Sequence, residues 1–163
     1  MEDGGLQWGE VGEGGGRETM FLGEHEHTID DKNRLTLPAR FRDALAGGVV
    51  LTRGLDECLD VYPRADWNGL VEARLAPLDP FSREGRNLKR FFFSAATDAE
   101  LDKQGRVLVP PALMKHARLG REVVVAGVHD HLEIWERRAW RDHLASVEGS
   151  ADHVAERLAE QRG

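Results

Sequence analysis

The chain has 163 residues, a mass of 18.2 kDa and a formal net charge of −7. Its 40% apolar and 31% charged residues are ordinary for a globular protein, and it has no apolar run of about 18 residues that could span a membrane. The single cysteine, Cys58, excludes an internal disulfide or a zinc ribbon, so the composition favours a reducing, cytoplasmic setting.

The negative charge is concentrated at the two ends of the chain. Residues 1–19 hold five acids and one base, and residues 148–163 hold four acids and two bases. The remaining residues, 20–147, carry 19 basic and 20 acidic side chains and are therefore close to neutral. A local basic patch on this central part could still bind phosphate, so the net charge does not exclude a nucleic-acid partner.

Residues 1–19 are predicted to be a flexible, acidic extension. Seven glycines lie between positions 4 and 16, and the segment has few apolar residues to offset the entropy lost on ordering. Met20 is a candidate for the true start of the protein. The glycines at 12–16 lack the following lysine and strand context of a phosphate-binding loop.

An internal repeat is the strongest organisational signal. Residues 29–38 (IDDKNRLTLP) resemble residues 101–110 (LDKQGRVLVP) at an offset of 72, and residues 59–62 (LDVY) resemble residues 132–135 (LEIW) at an offset of 73. Each half is too small to be stable alone, so we expect the two to bury their apolar faces together as an interdigitated pseudo-dimer.

Each half predicts the same order of elements. In the first half a turn leads to a strand at 34–37, a short helix beginning at Pro38, strands at 49–52 and 58–62, and a helix containing Trp67. The second half repeats this order with a strand at 106–109, a helix at Pro110, strands at 122–126 and 131–135, and a helix containing Trp140.

A linker and a tail complete the predicted organisation. Pro77 and Pro80 separate the halves, and residues 81–95 form an apolar stripe on a predicted helix, in which the aromatic residues 91–93 are expected to be core. The predicted divisions are an extension at 1–19, repeats at 20–76 and 97–147, a linker helix at 77–96, and an acidic tail at 148–163.

The repeated turn is the candidate functional element. Asn33 and Gly105 occupy equivalent positions and tolerate a positive φ, and Asp30 and Asp102 can accept hydrogen bonds from the turn N–H groups. An arginine follows each turn, at positions 34 and 106. Two interpretations remain open: the aspartate and arginine pair only to brace the hairpin, or the turn presents the arginine to a ligand.

The cations around the first turn favour a phosphate-facing surface. Residues 32–42 contain four basic residues and no acid, namely Lys32, Arg34, Arg40 and Arg42. The second copy is less basic, with Lys103, Arg106, Lys115 and Arg118.

These features together resemble a known family. The opening residues 20–23 (MFLG), the two Asp-x-x-(Asn/Gly)-Arg-x-x-x-Pro motifs and the segment 59–63 (LDVYP) are similar to the MraZ family of bacterial transcriptional regulators. The resemblance covers about residues 20–147. It implies an α+β fold in which two tandem AbrB-like hairpin and helix repeats form a pseudo-dimeric, double-β-barrel-like core with flanking helices.

The resemblance also implies a function. Members of the family bind short promoter repeats of the division and cell-wall gene cluster, assemble as ring-shaped homo-oligomers and localise with the nucleoid. The implied DNA-binding residues are Lys32, Arg34, Arg40, Arg42, Lys103 and Arg106, with Asp30, Asn33, Asp102 and Gly105 forming the turns. Gln104 stands where the family pattern has lysine, so an equal DNA role for the second turn is in doubt.

Three rival interpretations compete with DNA binding. The pairs His25/His27 and His129/His131 have an H-x-H spacing that would place both imidazoles on one strand face, as in a zinc site, but exposed strand histidines are common and no metal or other cofactor is expected. No hydrolase motif is present, and Cys58 is expected to be packed, so no enzyme is predicted. A protein-interaction or assembly module without specific DNA binding is the remaining alternative.

Overall fold

The structure of the protein is a computed structural model that describes residues 20–162. The first half contains β1 (Glu24–Thr28), β2 (Arg34–Thr36), a 3-10 turn (Ala39–Phe41), β3 (Val49–Arg53), β4 (Leu59–Pro63) and α1 (Arg64–Leu70), which continues as a π-helical turn (Val71–Leu75). The second half contains α2 (Arg83–Phe93), β5 (Thr97–Ala99), β6 (Arg106–Leu108), α3 (Pro111–His116), β7 (Glu122–Gly127), β8 (Leu132–Glu136) and α4 (Arg137–Arg162).

The six-stranded antiparallel sheet has the order β1-β7-β8-β4-β3-β5. The first strand of each half pairs with the third strand of the other half, β1 with β7 and β5 with β3. The fourth strands, β4 and β8, pair with each other at the centre. Neither half therefore completes a sheet by itself, and the predicted pseudo-dimeric interdigitation of two repeats is confirmed.

A separate two-stranded ribbon joins the halves a second time. β2 pairs with β6 in antiparallel register, with Arg34 opposite Leu108, Leu35 opposite Val107 and Thr36 opposite Arg106. The central pair, Leu35 and Val107, is buried while its neighbours along each strand are not. Because side chains alternate across a strand, the ribbon has one face in the core and one face outward.

One apolar core is shared by the two repeats. Equivalent positions contribute equally: Leu37 and Val109 are both fully buried, as are Leu59 and Leu132. Phe21 of the opening segment is also fully buried and exchanges two backbone hydrogen bonds with His129, at 2.8 and 2.9 Å. Burial of matched apolar residues from both halves is the main force that holds the interdigitated strands together.

The helices differ from expectation in three places. Residues 148–162 are not separate from the second repeat, because α4 runs without a break to Arg162. Pro38 and Pro110 lie at the N-cap of their short helices, one residue before the first helical position. The aromatic residues 91–93 are not core: Phe93 is 39% exposed and Phe91 and Phe92 are half-buried, since α2 packs on the edge of the sheet near β3.

No helix within residues 20–162 is both long and apolar enough to cross a membrane. The predicted extension at residues 1–19 lies outside the described part of the chain.

Candidate nucleic-acid interface

The first turn is built around the Asp30 carboxylate. Its Oδ1 accepts hydrogen bonds from the backbone N–H groups of Lys32 and Arg34, both at 2.9 Å. The backbone closes from the N–H of Asn33 to the carbonyl of Asp30 at 3.0 Å, and Asn33 has a φ of 61°. Asparagine is one of the few residues with a side chain that adopts this left-handed conformation at modest cost, so the local sequence specifies the turn.

The second turn repeats this geometry. Oδ1 of Asp102 accepts from the N–H groups of Gln104 and Arg106, both at 2.9 Å, and Gly105 has a φ of 76°. The duplicated motif thus produces two closely similar backbone turns, one at the start of β2 and one at the start of β6.

Each turn is also tied to the opposite half. The carbonyl of Asn33 accepts from the N–H of Val109 at 2.8 Å, and the carbonyl of Gly105 accepts from the N–H of Leu37 at 2.9 Å. The left-handed residue of each turn therefore aims its carbonyl at the strand end of the other repeat. These bonds fix the spacing of the two turns along the ribbon.

Both arginines pair with their aspartates through Nε. The distance from Arg34 Nε to Asp30 Oδ2 is 2.8 Å, and the distance from Arg106 Nε to Asp102 Oδ2 is also 2.8 Å. Within residues 20–162 the Nη atoms of these two arginines have no hydrogen-bond partner. The bracing interaction is therefore present, and it leaves the outer edge of each guanidinium available.

The carboxylates are stabilised in their ionised form. The pKa of Asp30 is lowered chiefly by the hydrogen bond from the backbone N–H of Arg34. A hydrogen bond from the Arg34 side chain lowers it further. The backbone N–H and side chain of Arg106 lower the pKa of Asp102 in the same way. A carboxylate held by backbone N–H groups and by Nε orients the guanidinium before any ligand arrives.

The outward face of the ribbon carries both arginines. Arg34 and Arg106 are half-buried, lie on opposite strands and are offset by two residues in the register, which places their Cα atoms about 8 Å apart. Two further residues share this face and were missed from the sequence: Thr36, opposite Arg106, and Leu108, which is 57% exposed. Leu108 could have been identified from the sequence, because side chains alternate along a strand and Leu108 lies between the inward-facing Val107 and Val109.

The other predicted DNA-binding cations divide into two groups. Lys32, Arg40 and Lys103 are exposed and form no ion pair with any residue of the described range, 20–162. Arg42 is different, because its Nε and Nη2 both donate to the carbonyl of Leu37, at 3.1 and 3.0 Å, and its guanidinium lies against Gly105. Arg42 therefore packs the first repeat against the second turn.

This arrangement suits a duplex. A two-stranded ribbon fits the major groove, and paired Nη donors match the O6 and N7 acceptors of guanine or two phosphate oxygens. Exposed lysines and Arg40 beside the ribbon can contact the DNA backbone.

The two H-x-H pairs are presented differently by the structure. His25 and His27 share one side of β1, where His25 packs edge-on against Phe41 at 5.3 Å between ring centroids. His129 lies outside β8 with a φ of 84° and is exposed, so it does not share a strand face with His131. The group of potential ligands found among residues 20–162 is a different one, which contains Cys58.

Comparison with known proteins agrees with the repeat architecture. The model of the MraZ protein family, described as putative antitoxin-like, matches residues 20–90 and again residues 92–162. The chain is 50% identical over 143 residues to the transcriptional regulator MraZ of Roseiflexus castenholzii, a match that covers 88% of this chain and 99% of that protein.

Two further relatives are similar at comparable length. The transcriptional regulator MraZ of Moorella thermoacetica is 48% identical over 142 residues, covering 86% of this chain and 98% of that protein. That of Desulfitobacterium hafniense is 47% identical over 140 residues, covering 85% and 96%. With two consecutive family matches and relatives aligned over almost their whole length, the chain belongs to the MraZ family.

Proposed function

We propose that this protein is a sequence-specific DNA-binding transcriptional regulator that reads DNA with the outward face of the β2/β6 ribbon. The observation that carries the proposal is the pair of matched turns, each of which holds an arginine by Nε and leaves its Nη edge free of partners within residues 20–162, beside exposed cations. The relatives described above are named transcriptional regulators, which supports the same class of function.

Arg34 and Arg106 are assigned to base edges or phosphates. Their pre-oriented guanidinium groups lose little conformational freedom on binding, and a bidentate contact to guanine contributes about 1–3 kcal/mol of discrimination. Lys32, Arg40 and Lys103 are assigned to phosphates, which position the protein without reading sequence. Leu108, which is exposed on the same face, is assigned to a thymine methyl group.

One ribbon makes few contacts, so the proposal includes assembly into a ring of identical subunits. Several large apolar side chains are exposed, among them Phe81 at 91% and Leu55 at 76%, and contacts between subunits would cover those that lie in an interface. A ring would present several ribbons to tandem promoter repeats and multiply weak single contacts through effective concentration.

The proposed targets are promoter repeats of the division and cell-wall gene cluster, in nucleoid DNA. Autoregulation follows if the gene for this protein lies in that cluster. Footprinting on the DNA upstream of its own gene is therefore the direct test, and protection of a set of evenly spaced repeats is the expected result.

The DNA affinity of variants then tests whether the β2/β6 ribbon is the binding surface. Fluorescence anisotropy with the protected fragment should show strong loss of affinity for the Arg34→Ala/Arg106→Ala double variant. Arg83→Ala/Arg90→Ala is the matched control, because it also removes two positive charges, from exposed positions of α2, which is not part of the ribbon. Unchanged affinity of the double variant would contradict the proposal.

An assembly module without specific DNA binding is the second candidate, favoured by the same exposed apolar residues. Failure of the wild-type protein to protect any promoter fragment, with an intact oligomer by light scattering, would support that candidate and reject the regulator.

A further inference from the structure

The β4–β8 pair at the centre of the sheet carries a cluster of chemically reactive side chains on the face away from the shared core. Asp60 of β4 lies directly opposite Glu133 of β8. Carboxylates placed opposite each other repel, and both side chains here are less than a quarter exposed. A cation between or beside them stabilises this arrangement, and the nearest basic side chain is His131.

The internal repeat brings two further donors to the same place. Cys58 precedes Asp60 by two residues, and His131 precedes Glu133 by two residues, so the pairs Cys-x-Asp and His-x-Glu occupy equivalent positions at the offset of 73. Residues two apart in an extended chain share a face. In the antiparallel register of β4 and β8 Asp60 lies opposite Glu133, so the thiol and the imidazole flank this pair of carboxylates from its two ends.

We propose that Cys58, Asp60, Glu133 and His131 bind one divalent transition-metal ion, with Zn²⁺ as the best fit. One sulfur, one nitrogen and two oxygen donors are the ligand types that tetrahedral zinc accepts. The site would link the two repeats through their central strands, and it is independent of the DNA-binding function proposed above.

The distances are compatible with a single ion. The ligand atoms of Cys58, Asp60 and Glu133 all lie within 4.8 Å of one another. Nε2 of His131 is 3.6 Å from Oδ1 of Asp60 and 3.8 Å from Oε2 of Glu133. Neighbouring ligands around tetrahedral zinc are separated by roughly 3.3–3.8 Å. The thiol and the two carboxylates need small adjustments to reach that spacing, and the His131 ring, which lies outside their group, would turn toward the sulfur to complete the site.

The Cys58 thiol fits a ligand role better than a packing role. The residue is only 1% exposed, and its thiol has a backbone hydrogen bond with Asp56 but none with a side chain of residues 20–162. Gly54 makes room for it, since a Cβ at that position would lie 2.5 Å from Sγ and 3.1 Å from Oδ1 of Asp60. A buried thiol beside two carboxylates is poorly matched to its neighbours as a small apolar group, and well matched to them as a metal ligand.

Groups outside the cluster orient two of the ligands. Nδ1 of His131 donates to Oδ1 of Asp130 at 2.8 Å, which leaves Nε2 facing the two carboxylates. The indole N–H of Trp135 donates to Oε1 of Glu133 at 2.9 Å, which leaves Oε2 facing His131. Hydrogen bonds of this kind, from a ligand's second atom to a fixed partner, are typical of metal sites.

The electrostatics show what the ion would replace. Burial acts to lower the pKa of His131, but hydrogen bonds to Asp60, Glu133 and Asp130 outweigh it and raise the pKa to about 10. Burial and the nearby Glu133 and Asp60 carboxylates raise the pKa of the Cys58 thiol. In the metal-free protein the His131 ring is the group that faces both carboxylates, and a bound ion would lie between them.

A cavity provides access to the cluster. Asp60, His131 and Glu133 contribute to the lining of a space of about 420 Å³, bounded on its other side by apolar residues of α2 and of the helix that follows β4. An ion can therefore reach the carboxylates and the imidazole from solvent, while the sulfur lies behind them.

The test is titration of the full-length chain, purified without nickel resin and stripped with chelator, with Co²⁺ and then Zn²⁺. The wild type should bind one equivalent of Co²⁺ with a thiolate-to-cobalt charge-transfer band, which Zn²⁺ abolishes by displacement. The thermal midpoint should rise with Zn²⁺ and not with Mg²⁺.

Cobalt binding by substituted proteins shows whether these side chains, and not other potential ligands, hold the ion. Cys58→Ser should lose the charge-transfer band, and Asp60→Asn should weaken Co²⁺ binding at least tenfold. The control Glu57→Gln changes an exposed acid near Cys58, and His25→Ala/His27→Ala changes the histidine pair on β1; both should bind Co²⁺ as the wild type does. Circular dichroism of each protein before metal is added shows whether it has folded.

Two results would overturn the proposal. The first is absence of a saturable cobalt band in the folded wild type, and the second is an equal band in folded Cys58→Ser. If Cys58→Ser does not fold, loss of the zinc-dependent rise in thermal midpoint in Asp60→Asn decides the matter, and an unchanged rise rejects the site.

Discussion

The two turns have the same backbone and different surroundings. Around the first turn stand Lys32 and Arg40, whereas the equivalent positions of the second repeat, 72 residues later, are Gln104 and Ala112. The hydrogen bonds from Arg34 to Asp30 and from Arg106 to Asp102 are equal in length, 2.8 Å. Both copies of the motif therefore orient an arginine, while the surrounding positive charge is concentrated at one of them.

The two turns of the ribbon are therefore suited to different contacts with DNA. Both arginines can make directional contacts, but the first turn has more exposed cations to bind phosphates. The helices that follow the turns differ as well: Arg42 supports the second turn through Leu37 and Gly105, and its equivalent is Met114.

The largest expected effect is on DNA affinity. Arg34→Ala and Arg106→Ala should each weaken promoter binding by about 1–3 kcal/mol for a bidentate guanine contact, with the larger loss for Arg34 because neighbouring cations hold that end on the DNA. Fluorescence anisotropy at one salt concentration measures both variants. A larger loss for Arg106→Ala would show that the charge asymmetry does not set the contribution of each turn.

The next largest expected effect is on the free energy of unfolding, compared at the equivalent positions of the two turns. Gly105→Ala should destabilise the fold by about 1–2 kcal/mol, because alanine is strained at positive φ and its Cβ would meet the Arg42 guanidinium. Asn33→Gly, at the equivalent position, should change stability far less, since glycine adopts that φ freely. Urea unfolding of the two variants tests this, and equal destabilisation would contradict it.

Substitutions at positions 32 and 104, where only the first turn has a lysine, should change the salt dependence of DNA binding in opposite directions. Lys32→Gln should weaken binding to all sequences alike and reduce the slope of log K against log salt by about 0.9 for each phosphate that the protein no longer neutralises. Gln104→Lys should strengthen binding and steepen the slope by a similar amount. Salt titrations of both variants measure the slopes, and no change in either would exclude these positions from the phosphate surface.

The smallest expected effect is on acid stability. The pKa of Asp30 and that of Asp102 are lowered, first by the backbone N–H groups of Arg34 and Arg106. The turns therefore contribute stability above the unfolded carboxyl pKa of about 3.9, which is lost as the pH falls through the lower folded values. Thermal unfolding between pH 5 and 2 should show less loss in Asp30→Asn/Asp102→Asn than in the wild type. Equal losses would mean that other carboxyls govern acid unfolding.

Much of the fold could be predicted because its signals are local. The strands at 49–53 and 122–127, the turns at Asn33 and Gly105, and the pairing of halves followed from alternation, turn chemistry and the repeat. The length of α4 was underestimated because its last part is short and acidic, so the helical spacing of Val154 and Leu158 was too weak a signal to extend the helix.

Only part of the candidate interface could be predicted from the sequence. Residue types and spacing identified Arg34 and Arg106, but not that each would be held through Nε with its outer edge free of partners within residues 20–162. The position of Arg42 beside Gly105 could not be predicted either, since that contact joins residues 63 positions apart.

By itself the sequence determined two copies of a turn, a strand and a short helix, because hydrogen bonding within a few residues and the tolerance for positive φ are properties of the local chain. Only the tertiary structure decided that β2 meets β6 and that β4 meets β8, which sets both arginines on one face and places Cys58 and Asp60 beside Glu133. The physical reason is that strand pairing between distant segments depends on burying the apolar faces of both repeats together, a property of the assembled core.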